Sequence, residues 1–357
     1  MPPDLPLDAA WADVERVRES SSQTLPLLVD EKARPYRIYM TPAMLQSIHS
    51  VDRHGADSMF RAGDERTRRQ LIIEAAVEEA FHSSKIEGAV TTLAKARDLA
   101  AGKVEAQTKS ERMVLNNYRA MQRILEWRSR PLDLDEILEL HRIVTDQAYE
   151  GRDGTEGKLR EDDTVRVVHR STEEIVHIPP PARELPGLLH KMIAFMNEPA
   201  GVDGGAEFVN PLVRASAVHY YLGYLHPFYD GNGRTARALF YHYMLRQGYD
   251  SFQFLSISTV IDRRRAQYYR AFRQVEASPT DLTYFVLFSC RAVESAVEAL
   301  RARVLHEYGS VAVLDPLRER HILLNDRQER PQRRLPRRLV KAADVLVRPP
   351  AGHDAND

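Results

Sequence analysis

Cysteine is almost missing from these 357 residues. Cys290 stands alone, which excludes an intrachain disulfide framework and any CxxC metal site. Long hydrophobic runs are missing too: no apolar stretch approaches the roughly 18 residues that a membrane-spanning helix needs. The N-terminus has neither a basic start nor an apolar run, so it does not read as a signal peptide. Charge of one sign is not in excess, with 50 Lys and Arg against 51 Asp and Glu, and such a balance argues against a chain that coats nucleic acid. No internal repeat of fixed period occurs. The expectation is a soluble, cytoplasmic protein without a membrane partner, long enough for one large domain or two to three small ones.

What is present is mostly helix. Apolar residues recur at mixed spacings of three and four over residues 68–86, 109–127, 133–145, 185–196, 211–225, 233–246, 262–275 and 282–304. The segment 133–145 carries Leu134, Ile137, Leu138, Leu140, His141 and Val144, with an acidic first turn after Pro131. The segment 211–225 is apolar nearly all round, as a buried helix is, and Pro211 suits its first turn. One stretch, residues 164–178, has two β-branched runs about a polar turn and then three prolines, which is a hairpin pattern. After Asn325 the chain turns basic and proline-rich, and mostly disorder is expected there, with at most a short helix over 337–347.

Chemistry concentrates in His226-Pro227-Phe228-Tyr229-Asp230-Gly231-Asn232-Gly233-Arg234-Thr235-Ala236-Arg237. An apolar helix runs into this segment and another helix leaves it. Gly231, Asn232 and Gly233 let backbone N–H groups face outward at a helix N-terminus, which makes an anion site. Arg234 and Arg237, three apart, add two guanidinium forks suited to phosphate. Asp230 offers a hard oxygen for magnesium, which takes one or two carboxylates together with phosphate oxygens. His226 can serve as a base near neutral pH. Singly, each residue has an ordinary structural explanation; it is their conjunction that points to a nucleotide phosphate site.

The segment resembles the signature of the Fic family, histidine-x-phenylalanine-x-(aspartate or glutamate)-glycine-asparagine-glycine-arginine-x-x-arginine, without departure. Residues 210–224 resemble the helix that precedes that signature. The resemblance covers about residues 110–300. It implies a mainly α fold, a Fic-type helical bundle with a β-hairpin flap, and transfer of AMP from Mg-ATP to a Ser, Thr or Tyr hydroxyl of a protein. By resemblance His226 takes the hydroxyl proton and Asp230 holds Mg2+. Gly231, Asn232, Gly233, Arg234 and Arg237 bind the nucleotide, and Ile175, Val176, His177 and Ile178 belong to a target-docking flap.

Ser83-Ser84-Lys85-Ile86-Glu87-Gly88 closes the first strong helix, and Gly88 suits its end. The pattern of Ser83, Glu87 and Gly88 resembles the inhibitory motif of Fic proteins that carry it before the core. There Glu87 would pair with Arg237 and lie where the γ-phosphate should go. In some relatives the same glutamate helps water remove AMP, so a de-AMPylating hydrolase is an alternative. The organisation expected is an N-terminal helical region over 1–109 with an inhibitory helix at about 68–88, a catalytic core over 110–300, and a segment 301–357. Self-modification and a homodimer are among the partners the resemblance suggests.

Three rivals carry less. His321 to Gln328 resembles the start of a winged-helix domain, which makes a DNA-binding regulator the rival of another class. The residues beyond do not complete the wing, so no nucleic-acid partner is expected. Gly157-Lys158 lacks the flanking residues of a P-loop. His219, His226 and His242 lack the spacing of a compact metal site.

Overall fold

The protein is described from a computed structural model over residues 7–55, 64–148, 154–168, 173–198 and 208–319. In chain order the elements are α1 (Leu7–Ser20), β1 (Gln23–Val29), β2 (Pro35–Ile38), α2 (Pro42–Gly55), α3 (Glu65–Ile86), α4 (Leu93–Ala100), α5 (Lys109–Trp127) and α6 (Leu134–Thr145). There follow β3 (Val167–Val168), β4 (Ile175–His177), α7 (Leu185–Asn197), α8 (Pro211–Leu225), α9 (Asn232–Arg246), α10 (Ile257–Arg263), α11 (Arg265–Ala277) and α12 (Thr283–Glu319). The fold is mainly α, as the periodicities predict. One compact unit spans Met1–Ala302; the second, Arg303–Asp357, continues as helix over its described residues. The winged-helix resemblance, the basic tail and its expected short helix lie outside the described residues.

Helix starts follow capping chemistry. Asp64 accepts from the Thr67 N–H and starts α3. Thr108 with Glu111 and Asp133 with Glu136 form reciprocal capping boxes on α5 and α6. Asn210 caps α8, and Pro211 occupies its first turn. At the other end of α3, Gly88 (φ 95°) ends the helix: its N–H reaches Lys85 O at 3.0 Å, and the Ala89 N–H reaches Ser84 O at 3.0 Å. That pair of bonds is the Schellman arrangement, which glycine allows at no steric cost.

Helix α8 sits at the centre. Apolar and polar side chains alike are buried round it, including Arg214, 1 % exposed. The cost of burying that guanidinium is offset by bonds to Phe195 O (3.2 Å) and Glu198 O (2.9 Å) and by its place over the Phe195 ring. Helix α9 packs on α8, and α3, α5 and α6 pack on α9.

Two findings depart from the sequence reading. The N-terminal region is not helical throughout, because β1 and β2 form an antiparallel hairpin, Thr24 opposite Arg37 and Leu25 opposite Tyr36. Pro26 lies in β1, where the register shifts between Leu25 and Val29, and a proline inside a short run hides a strand from periodicity. The hairpin seats Tyr36 against Tyr220, Tyr221 and Tyr224 of α8. The helix expected over 262–275 is instead two, α10 and α11, parted at Arg264. Just before that break, Asp262 accepts from His82 (2.9 Å) and Lys85 (2.9 Å) of α3 and from Arg265, which ties the end of α3 to this corner. The hairpin expected over 164–178 is present as β3 and β4, with Val167 opposite His177.

Candidate active site

The loop between α8 and α9 starts with a reversal. His226 caps α8 in the left-handed region (φ 44°, ψ 56°), a conformation costly for a residue with a Cβ and sustained only by its surroundings. Those surroundings are Arg160, nearly fully buried. Its N–H reaches Pro227 O at 2.8 Å, its Nε reaches His226 O at 3.0 Å, and Nη2 holds Pro180 O, three residues after β4. His226 Nδ1 faces Gly223 O at 3.2 Å. A carbonyl only accepts, so Nδ1 carries the hydrogen and the Nε2 lone pair is left for a proton. Burial, with smaller contributions from His177 and Arg160, pushes the imidazole down to about 4. His226 is therefore neutral at pH 7, as a base must be.

Asn232 folds the loop back on itself. Its Oδ1 accepts from Phe228 N (3.0 Å) and its Nδ2 donates to Phe228 O (2.8 Å). The asparagine side chain is thus spent on the loop, and only its backbone N–H faces the cradle. Gly231 (φ 79°) starts α9 without a side-chain cap, which leaves the first-turn N–H groups for an anion. A Cβ on Gly231 would stand 2.7 Å from Thr145 Cγ2, so no larger residue fits there.

Arg234 and Arg237 diverge. Three residues on a helix are about 60° apart in projection, enough to send them to different neighbours. Arg234, 1 % exposed, points to α6, donating to Val144 O (2.9 Å) and Asp230 Oδ2 (3.2 Å). Its expected contact with phosphate thus becomes, in this structure, support from behind the loop. Arg237 points to α3: its Nε meets Ser83 Oγ (2.9 Å), and its Nη2 meets Ser83 O (3.0 Å) and Glu87 Oε1 (2.8 Å). Burial is the largest influence and opposes the Arg237 charge, yet Glu87, Tyr268 and Glu79 together raise the guanidinium above its usual range. Arg237 Nη1 is buried with no hydrogen-bond partner among the described residues. A Cβ on Gly233 would collide with Glu87 Oε1, so the carboxylate lies directly over the start of α9. Ser83, Glu87, Gly233 and Arg237 are brought together, and the resemblance implied the Glu87–Arg237 pair among them.

The residues expected to form a flap meet other partners. Ile175 and Ile178 are 53 % and 60 % exposed. His177 is tied between Tyr224 O (2.7 Å) and Glu276 Oε1 (3.0 Å). Of the histidines weighed as a metal set, His219 meets Tyr268 Oη (3.0 Å), and His242 meets the carbonyls of Trp127 (3.2 Å) and Arg130 (3.1 Å). Both are core histidines engaged through Nε2. Among the described residues no group of three His, Cys, Asp or Glu could hold a metal, and no helix is long and apolar enough to cross a membrane.

Two residues that sequence reasoning passed over support the loop. Arg160 is one. The other is His141 of α6, whose Nε2 meets Asp230 O at 2.9 Å and whose ring stacks on Phe228 at 3.7 Å. The signal for His141 was a histidine in the apolar stripe of an amphipathic helix.

Burial sets the response to acid. It lowers His141, His226 and His242 to about 4 and His219 to about 3. In the unfolded chain all four titrate near 6.5, so below that pH the unfolded state binds protons that the folded state refuses. Stability is expected to be fully present above about pH 6.5 and to fall as pH drops toward 4, by up to about 1.4 kcal/mol per pH unit for each histidine. Chemical denaturation at pH 7, 6, 5 and 4.5 checks this; a flat profile would contradict the buried, neutral assignment.

Residues 131–244 match the Fic/DOC family model, a span that contains every residue of the loop. The chain is 31 % identical over 244 residues to the protein adenylyltransferase Fic of Nematostella vectensis, covering 66 % of this chain and 51 % of that protein. It is 28 % identical over 262 residues to the protein of the same name from Culex quinquefasciatus, covering 71 % of this chain and 45 % of that one. The chain thus spans about half the length of these curated relatives. In fold it is similar to a Fic family protein from Desulfovibrio desulfuricans, with a TM-score of 0.62 at 22 % identity, covering 75 % of this chain and 76 % of that one.

Proposed function

With residues 131–244 forming a Fic/DOC-family domain, we propose that this chain is a protein adenylyltransferase: it moves AMP from ATP to a Ser, Thr or Tyr hydroxyl of a protein and is held in check by Glu87. The relatives named protein adenylyltransferases support the reaction class.

The observation that carries the reading is the carboxylate over the start of α9. Glu87 stands in for a phosphate: it neutralises Arg237 and covers Gly233. An anion cradle made of uncapped N–H groups and a buried guanidinium is complementary to a polyphosphate. The unpaired Arg237 Nη1 is a further donor for it.

In the transfer step the hydroxyl oxygen bonds to the α-phosphorus, and the bond from that phosphorus to the β-bridging oxygen breaks. Pyrophosphate departs, and the hydroxyl proton passes to His226 Nε2. Arg237 and the first-turn N–H groups offset charge on the departing pyrophosphate. Asp230 fits magnesium: its carboxylate is one-third exposed, and a single carboxylate with phosphate oxygens and waters is an ordinary set for that ion. Magnesium bound there would supply charge neutralisation between phosphates. The exposed flap residues Ile175 and Ile178 offer an apolar edge to the target. In the domain plan proposed here, residues 1–109 carry the inhibitory helix and 110–300 the catalytic core.

The test is intact-mass spectrometry of the Glu87→Gly variant incubated with Mg-ATP and lysate proteins. The expected result is a mass gain of one adenylyl group on the variant or on a lysate protein. A gain of one phosphoryl group, or none on any protein, would overturn the proposal.

A further inference from the structure

The last turn of α6 lies against the loop so closely that Gly231 has no room for a Cβ beside Thr145 and His141. His141 is 3 % exposed. The Gly157 N–H donates to its Nδ1 at 3.0 Å, so Nδ1 carries no hydrogen and Nε2–H is the donor to Asp230 O at 2.9 Å. The Asp230 carbonyl and the Gly231 N–H belong to one planar peptide. That N–H in turn reaches Asp230 Oδ1 at 2.6 Å. Fixing the carbonyl therefore fixes the donor that holds one carboxylate oxygen. The other oxygen, Oδ2, is held by Arg234, which is itself held by Val144 O on the same turn of α6. Both oxygens of Asp230 are thus aimed from α6.

We infer that His141 is a positioning residue for the Asp230 carboxylate, acting through the Asp230–Gly231 peptide; the inference rests on the magnesium role proposed for Asp230. Its Nε2–H fixes which way the carboxylate lone pairs face a divalent cation. The ring's stack on Phe228 (3.7 Å between centroids, 7° between planes) keeps it in register. Partners that orient a metal ligand are typically worth 10- to 100-fold in metal affinity.

Two substitutions separate the two ring nitrogens. In His141→Gln the side-chain amide nitrogen falls near the place of Nε2 and can donate to Asp230 O. In His141→Asn the side-chain amide falls near the place of Nδ1, can accept from Gly157 N–H and cannot reach Asp230 O. Both are made in the Glu87→Gly background. The readout is thermal stabilisation by a non-transferable ATP analogue while Mg2+ is titrated. The magnesium midpoint is expected to rise about 10- to 100-fold for the Asn variant and to stay within about threefold of the parent for Gln, with analogue binding in the absence of Mg2+ equal in all three. Equal midpoints for Asn and Gln, or a change confined to the melting temperature of the free protein, would overturn the inference. If the Asn variant does not fold, His141→Phe, which keeps the stack and removes both hydrogen bonds, replaces it with the same expected shift. If the parent itself shows no magnesium dependence, the reading of Asp230 fails, and the inference with it.

Discussion

Replacing His226 by alanine in the Glu87→Gly background lowers AMP transfer by about two to four orders of magnitude, the range a positioned general base supplies. ATP binding stays within about threefold. The split follows from the geometry. Among the described residues the Nε2 lone pair of His226 meets no hydrogen-bonding group, and Nδ1 bonds to Gly223 O. The donors proposed for phosphate stand on α9, at Gly233 and Arg237, and do not depend on the imidazole. The His226 backbone does carry load, since its carbonyl accepts from Arg160 Nε. Alanine keeps that carbonyl, so the loop persists. Single-turnover transfer, with ATP affinity measured separately, checks the prediction. An alanine variant that transfers at the parent rate would remove His226 from the chemistry.

Replacing Glu87 by glycine raises the transfer rate of the otherwise unaltered chain by about 10- to 100-fold. The carboxylate makes one charge-assisted bond to Arg237, at 2.8 Å. Such a bond is worth about 1.5–3 kcal/mol when lost from a buried partner, which corresponds to roughly 10- to 150-fold in a population of productive complexes. The substitution also clears the space over Gly233. Glycine follows the last residue of α3 as its cap, directly before Gly88, so the helix itself is little disturbed. Arg237 keeps its bonds to Ser83 and stays in place. The readout is the single-turnover rate rather than accumulated label, because loss of a hydrolytic Glu87 would raise accumulated label as well. A rate equal to that of the unaltered chain, with ATP bound, would contradict the inhibitory role.

Most of the candidate site is legible in the sequence. The residues from His226 to Arg237 are contiguous, and their chemistry depends on local spacing: a helix end, a glycine turn and a helix start. Ser83 and Glu87 stand out only through the resemblance of their segment to the inhibitory motif. Long-range partners were hidden. Nothing local marks His141 as the partner of Asp230 or Arg160 as the partner of His226, because those contacts join positions 89 and 66 residues apart. The division between Arg234 and Arg237 was hidden likewise. Helical periodicity places both on one side of α9, but which neighbour each meets depends on where α3 and α6 pack. The loop-closing role of the Asn232 side chain was hidden too, since spacing speaks only for its backbone N–H. The β1–β2 hairpin escaped because Pro26 interrupts its alternation, and the break at Arg264 because it is held by Asp262 and its partners on α3 and α11.

The central claim is that the cradle over α9 delivers the α-phosphoryl of ATP, with its nucleoside, to a protein. The Glu87→Gly variant incubated with magnesium and ATP labelled either at the α- or at the γ-phosphate tests it most directly. Label retained on protein from the α-position and absent from the γ-position is the predicted result, and the same experiment with His226→Ala added should retain neither. Protein-bound label from the γ-position would contradict the account by making the chain a phosphotransferase.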